Sequence, residues 1–498
     1  MNYIYLILAF IPFLVFSLLL LFHRSASTLK ISLTTLILTI LIATIFWKTS
    51  FSVVGFSLVK GFLIALDIFF IIFGAIFFLE ILKKKKITDS LAFHLNNFSP
   101  DFRIQVIMLA WFFEGFLEGI AGFGTPSIIV APLLMALGLS PLKAVIIALL
   151  GNSTSVPFGA VGTPIRVGLA GININLTSVG SLAAIYNLVG ILVPVFMLWV
   201  LVSSNSKRWS LFFKGLPFSI WAGIAFVVPS FIVSLFGVEF PSILGAIIGI
   251  ILVIITIRFG LFVPKEIHKN LLNTKFVSSL NLKQTIFPYA LFIILLIVSK
   301  IFLSGLKIQI PLFAYSFNLF NPGFILIITA IIVAIYSKIN WQNIKSIILI
   351  AFKKTMEPFL VVATMSAMVQ LMNNSANNIL GLISITQTIS RLFETKFLPF
   401  LAPFVGALGS FVTGSATVSN IMFAPSINSA SLFLNFNPVK ILALLVVGAG
   451  AGNMVAIADV LSAKTVVGGT DSLRKVIVSL LPFCLIYLVL VALIGLLI

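Results

Sequence analysis

Nine runs of roughly 20 apolar residues, each long enough to cross a bilayer as a helix, lie near 3–22, 29–47, 60–82, 178–202, 217–236, 239–263, 285–303, 322–337 and 475–497. Hydrocarbon offers no partner to a free amide or carbonyl, so such runs fold as helices that satisfy their own backbone. Composition agrees, with 60% hydrophobic and 9% charged residues against roughly 25% charged in soluble domains. Two further regions, 104–177 and 355–470, are apolar but broken at short intervals by Gly, Pro, Ser, Thr and Asn. That pattern suits half-helices and re-entrant hairpins. The expectation is an all-α polytopic membrane protein of about 12–14 transmembrane helices, a single integral membrane domain over 1–498. Its two repeat cores, at 104–177 and 355–470, would each hold a broken helix or re-entrant hairpin.

The formal charge of +19 does not point to nucleic acid, because the basic residues sit in short connectors as the positive-inside tendency places them. Those connectors are 23–30, 83–103 with Lys83 to Lys86, 203–215, 264–284 and 338–354. Assigning them to the cytoplasm puts the N-terminus outside. The run at 3–22 is too long for a signal h-region and lacks a basic n-region, so it reads as a retained first span in a multi-pass protein of the cell membrane. One cysteine, Cys484, excludes an internal disulfide and a cysteine-ligated metal. No cofactor is called for.

Glu114 and Glu118 stand one helical turn apart inside an apolar run that leads into glycines: Glu114-Gly-Phe-Leu-Glu118-Gly-Ile-Ala-Gly122-Phe-Gly124-Thr125-Pro126. An ionised carboxylate at bilayer depth costs several kcal/mol, so a chain with 12 acidic residues in all that keeps acids there points to a transport site. Helix broken at that depth must line a cavity or be buried in protein. The two interrupted regions also resemble each other. Ala131-Pro132, Pro141-Leu-Lys143 and Gly151-Asn152 are matched by Ala424-Pro425, Pro438-Val-Lys440 and Gly448 with Gly452-Asn453, and Lys143 to Gly151 has the same spacing as Lys440 to Gly448. Inverted-repeat transporters arise from duplications of this kind.

Phe116-Leu-Glu118-Gly-Ile-Ala-Gly122-Phe-Gly124-Thr-Pro126 resembles the hallmark of the lactate permease family, which carries lactate and glycolate with protons. The likeness continues through Phe158-Gly-Ala-Val-Gly162-Thr-Pro164, Phe411-Val-Thr413-Gly414-Ser415-Ala416-Thr417-Val-Ser-Asn420, Gly452-Asn-Met454 and Val467-Gly468-Gly469-Thr-Asp471. It implies a secondary transporter with elevator-like motion, in which Asn152-Ser153-Thr154 and Ser419-Asn420 hold the substrate carboxylate. Two departures stand out: Ala416 where the family pattern has aspartate, and Asn453 where it has lysine. Asp459 and Lys464 fall where the pattern is uncharged.

Without the family, the residues still make an anion site. Broken helix N-termini offer free amides and a positive dipole end, and Gly122, Gly124, Thr125, Gly414, Ser415 and Thr417 let backbone and hydroxyls approach an anion closely. None of His23, His94 and His268 lies within a predicted span, so a proton carrier in the membrane must be a carboxylate, Glu118 first, then Asp459, with Glu114 third. Ser, Thr, Asn and carbonyl oxygens also coordinate sodium, which leaves a sodium-coupled carrier of mono- or dicarboxylates as the alternative. A protease is disfavoured because no membrane histidine or recognisable aspartate motif is present. A channel is disfavoured by the long internal repeat. Among the other polar residues, Asp67 reads as a packing hydrogen bond, Glu80 as the i+4 partner of Lys84, and Glu357 before Pro358 as a helix-start cap. Lys143 and Lys440 read as snorkelling side chains. Ser304 to Phe320 reads as a surface loop without identifiable chemistry.

Overall fold

The computed structural model describes all residues except 1–2, 23–26, 123, 268–279, 304, 314, 469–470 and 498, so His23, His268 and Phe123 fall outside it. Helices α1 (Tyr3–Phe22), α2 (Thr28–Ile45) and α3 (Phe51–Lys84) precede the short α4 (Ile87–Asn96). The next helix, α5 (Phe102–Ile107), passes through a π-helical stretch at Met108–Phe113 into α6 (Glu114–Ile120), followed by α7 (Thr125–Ala136), α8 (Pro141–Asn152) and α9 (Gly159–Arg166). A 3-10 turn joins α10 (Leu176–Tyr186) to α11 (Val193–Val202), and α12 (Arg208–Ser234), α13 (Pro241–Arg258) and α14 (Leu282–Leu303) complete the first part. Strands β1 (Lys307–Ile310) and β2 (Tyr315–Asn318) then form an antiparallel hairpin. The remainder comprises α15 (Pro322–Tyr336), α16 (Trp341–Asn374), α17 (Ile385–Ser390), α18 (Leu398–Thr413), α19 (Ala416–Phe433), α20 (Pro438–Asn453), α21 (Ile457–Val466) and α22 (Leu473–Leu497).

Among the described residues eight helical segments are long and apolar enough to span a membrane, and two bent pairs raise this to ten. That is fewer than the roughly 12–14 expected, and three further apolar helices, Tyr3–Leu19, Thr125–Ala136 and Pro322–Tyr336, are shorter than a span. The chain is an all-α multi-pass membrane protein with one small hairpin. The bent pairs fall inside the interrupted regions: α8 and the segment through α9 meet at 58°, and α17 with its following turn meets α18 at 119°. Proline starts several of these helices, as at Pro141 and Pro438, where its missing amide would have had no partner.

Small residues set the closest helix approaches. On α20, Gly448 and Gly452 lie against the backbone of Pro403 and Ala407 on α18, where a β-carbon would overlap carbonyl oxygen. Without a hydrophobic drive in lipid, such packing is a main source of helix association. The helix carrying Glu114 and Glu118 is enclosed on all sides, with Met108 to Ile120 buried throughout.

Described parts of three basic connectors, 83–103, 203–215 and 264–284, gather on one face. Arg103 donates from Nη1 to Leu211 O and from Nη2 to Glu266 O, Lys214 pairs with Glu266 at 2.6 Å, and Lys143 donates to Leu201 O and Ser204 Oγ. Lys143 thus snorkels as expected. Other expectations change. Glu80 pairs with Lys354 of α16 at 2.7 Å rather than with Lys84, and 341–354 is helix rather than connector. Glu357 sits exposed in mid-helix, because α16 continues through Pro358. A proline inside a membrane helix is tolerated where neighbouring elements satisfy the freed carbonyl.

Arg103 and Asp101 form a buried pair at 2.7 Å with side-chain exposures of 2% and 1%. Removing one partner of a buried pair leaves an uncompensated charge, so Asp101→Ala should lower stability by about 3–5 kcal/mol. Lys475→Ala, which opens the solvent-exposed pair with Asp471, should change it by less than about 1 kcal/mol. Thermal unfolding of the detergent-solubilised chain, compared for the two variants, checks both values.

Candidate functional site

Four helix breaks meet at one point. The first lies between α6 and α7, where Gly122 at φ 56° and Gly124 at φ 70° occupy left-handed backbone. The second opens α9, where Ala160 (42°), Val161 (55°) and Gly162 (77°) form a left-handed turn and Thr163 Oγ1 donates to Ala160 O. A β-branched residue in that region is an outlier, and each such residue costs about 1–3 kcal/mol, strain that clusters at functional sites. The third break is Gly414 at φ 72° followed by extended Ser415, whose Oγ accepts from Val418 N at the start of α19. The fourth separates α20 from α21 at Met454–Ala456.

Between these breaks lies a cavity of about 20 Å³, room for about one water and less than a lactate occupies. Its lining includes Glu118, Gly122 and Gly124 from the first break, Gly159, Ala160 and Pro164 from the second, and Gly414, Ser415, Ala416 and Thr417 from the third. Asn453, at the end of α20, and Val156 complete it. The Glu118 carboxyl rests against Gly159, where a β-carbon would overlap Oε1. Asp459 Oδ1 rests against Gly124 in the same way, while its Oδ2 accepts from Asn453 Nδ2 at 2.7 Å. Ser410 Oγ in turn donates to Asn453 Oδ1 at 3.2 Å. Glu118 and Asp459 are 3% and 6% exposed, and among the described residues neither forms an ion pair.

The expected residues divide into two groups. Gly122, Gly124, Gly414, Ser415 and Thr417 line the cavity with Glu118. Thr125, Ser153 and Ser419 are spoken for elsewhere, their hydroxyls donating to Gly122 O, Leu150 O and Gly406 O respectively. Asn152 lies beside Glu118, with both side-chain polar atoms buried and lacking a partner at hydrogen-bond geometry. Thr154 Oγ1 is likewise buried without a partner and packs on Gly190. Asn420 Nδ2 donates to Pro164 O at 2.9 Å, tying α19 to α9, and its Oδ1 has no partner. Glu114 is fully buried, accepts from Ser127 Oγ at 2.7 Å and lies outside the cavity lining. The side-chain partner of Asp459 is Asn453.

Sequence reading did not assign Gly159, Ala160, Pro164 and Asn453 to the site. The signal was present in the Gly-Ala-Val-Gly-Thr-Pro run, whose two glycines and proline so close together mark a tight turn. Ala416 and Asp459 also acquire a relation that spacing alone hides. The position where the family resemblance implies an aspartate lines the cavity that Asp459 approaches through Gly124.

A Haemophilus influenzae protein is 28% identical to this chain over 459 residues, 83% of this chain and 84% of its own. The L-lactate permease of Streptococcus iniae is 31% identical over 363 residues, covering 69% of this chain and 73% of that protein. That of Escherichia coli (strain K12) is 25% identical over 457 residues, 82% and 80% of the two chains. The family model for L-lactate permease matches residues 5–309 and 300–498, a reach that takes in all four helix breaks, and the chain belongs to that family.

Proposed function

We propose that this chain is a secondary transporter that moves L-lactate, and glycolate as a second substrate, across the cell membrane together with a proton. The observation that carries this reading is the meeting of four helix breaks around Glu118, with Asp459 against Gly124. Backbone breaks supply free amides and dipole ends for a carboxylate, and an acid without a basic partner supplies a place for the proton that makes the load neutral. Residues 104–177 and 355–470 act as the two repeats whose breaks face each other, and the water-sized cavity is the closed form of the substrate site. Loading then requires the breaks to separate, as in a moving-element mechanism. Gly122, Gly124, Gly414, Ser415 and Thr417 touch the substrate directly in this reading, while Asn152, Ser153, Thr154, Ser419, Asn420 and Thr125 shape the breaks behind it.

Uptake of labelled lactate into proteoliposomes, driven separately by a pH gradient and by a sodium gradient, tests the reading. Accumulation is expected to follow the inward proton gradient, to be unchanged by sodium, and to be competed by glycolate more strongly than by succinate. Accumulation that follows sodium and ignores pH would move the chain to the sodium-coupled class.

A further inference from the structure

We propose that a second cavity, reached from the first along α9, is a vestibule that captures the substrate carboxylate before it enters the transport site; this rests on the transport reading above. The cavity measures about 380 Å³, which accommodates a small 2-hydroxy acid with its hydration where the central cavity does not. Lys60 and Asp67 reach it from α3, Arg166 from the end of α9, Asn173 from the loop after α9, and Tyr315 from β2. The hairpin segment that carried no chemistry in the sequence therefore forms one wall.

Arg166 holds the argument. Its Nη1 is buried with no hydrogen-bond partner, and the guanidinium stands 5.9 Å from the centre of the Phe320 ring. Asp67, the acid of this cavity, accepts from Asn321 Nδ2 at 2.7 Å, and among the described residues Arg166 is in no ion pair. A buried donor left without an acceptor is costly, and a carboxylate presents two oxygens that match the guanidinium fork. Lys60, whose ammonium lies 5.8 Å from the Phe56 ring centre, makes two cations against one acid. Such a concave, positively biased mouth raises the local concentration of anions.

Position fits the role. Pro164 lines the central cavity and Arg166, two residues on, lines the vestibule. Between them, Asn420 Nδ2 is bonded to Pro164 O at 2.9 Å. From Asp67 to Lys83 is 16 residues of α3, about 24 Å along a helix, so the vestibule is remote from the face where the basic connectors gather. By the excess of Lys and Arg in cytoplasmic connectors, it faces outside.

The native cysteine makes the test clean, because Cys484 is 2% exposed and an introduced cysteine reports alone. In the full-length protein reconstituted in liposomes, Asn173→Cys should react with a membrane-impermeant methanethiosulfonate, and lactate should slow that reaction. The protection should persist in the Glu118→Gln background, where coupled transport is lost. Arg166→Gln should abolish protection and raise the uptake KM roughly tenfold, the scale of one charge-assisted hydrogen bond, with a smaller change in maximal rate. Lys60→Gln, which perturbs the fold less, should move both readouts in the same direction. If wild-type protein carries lactate but lactate leaves the labelling unchanged, or if both charge variants keep protection and KM, the vestibule is overturned and the transport reading stands. If lactate protects the cysteine although wild-type protein carries none, the anion site stands but its role as a vestibule falls with the transport reading.

Discussion

Glu118→Gln is expected to abolish lactate accumulation under an imposed pH gradient while retaining exchange of preloaded for external lactate. Glutamine keeps the size and hydrogen-bonding capacity of the side chain, so the packing against Gly159 survives, but it cannot take up and release a proton. A bare lactate anion at bilayer depth carries a cost of several kcal/mol that one accompanying proton removes. With the proton site gone, net uphill movement stops, whereas exchange needs only that loaded protein reorient. The neighbouring acids should rank behind it in a definite order. Asp459, whose Oδ1 touches Gly124 at the cavity edge, is placed to take part in coupling. Glu114, engaged by Ser127 and outside the lining, is not. Asp459→Asn should therefore impair pH-driven uptake more than Glu114→Gln does. The assay is proteoliposome uptake and counterflow with all three variants at matched protein content, and wild-type pH-driven accumulation by Glu118→Gln would remove that residue from the mechanism.

Legibility in the sequence followed what each signal physically reports. Apolar run length reports the bilayer, and the nine long runs correspond to α1, α2, α3, the α10–α11 segment, α12, α13, α14, α15 and α22. Acids inside apolar sequence report a desolvation cost that something must justify, and that signal marked Glu118, Asp459 and Glu114, of which Glu118 lines the central cavity, Asp459 rests against Gly124 at its edge, and Glu114 lies outside it. Hydroxyl groups carry no such signal. Ser153 and Ser415 look equally suited to an anion, yet Ser153 Oγ satisfies Leu150 O within its own helix while Ser415 lines the cavity. Partner choice across helices was equally hidden: Lys84 is the i+4 neighbour of Glu80, but Lys354, 274 residues away, makes the bond. Pro358 read as a helix start because proline usually is one; tertiary packing carries α16 through it. The turn at 159–164 was signalled by its two glycines and proline, but the left-handed backbone of Ala160 and Val161 within it was not, because neither residue favours that region and the surrounding contacts hold it there.

Those contacts make glycine the most informative residue type at the site, and Gly159→Ala should be a near-complete loss of transport without loss of fold. Gly159 has φ −64° and ψ 157°, a conformation open to any residue, so alanine adds no backbone strain. What it adds is a methyl group in the space held by Glu118 Oε1. The end of a flexible side chain can move aside, so the protein should assemble normally, but the carboxyl must leave its place beside Asn152 and the cavity. Gly151→Ala is the contrasting case. There the new methyl would meet the backbone carbonyl of Ala110, which cannot move without shifting a buried helix, and protein yield should fall. For Gly159→Ala, pH-driven uptake is expected to drop at least roughly tenfold, equivalent to about 1.4 kcal/mol, at unchanged expression and melting temperature. Shortening the acid tests the cause. In the double variant Gly159→Ala with Glu118→Asp, the missing methylene restores room, and uptake should exceed that predicted by adding the two single effects. Strict additivity in that cycle, or wild-type uptake by Gly159→Ala alone, would show that the position of the Glu118 carboxyl does not govern transport.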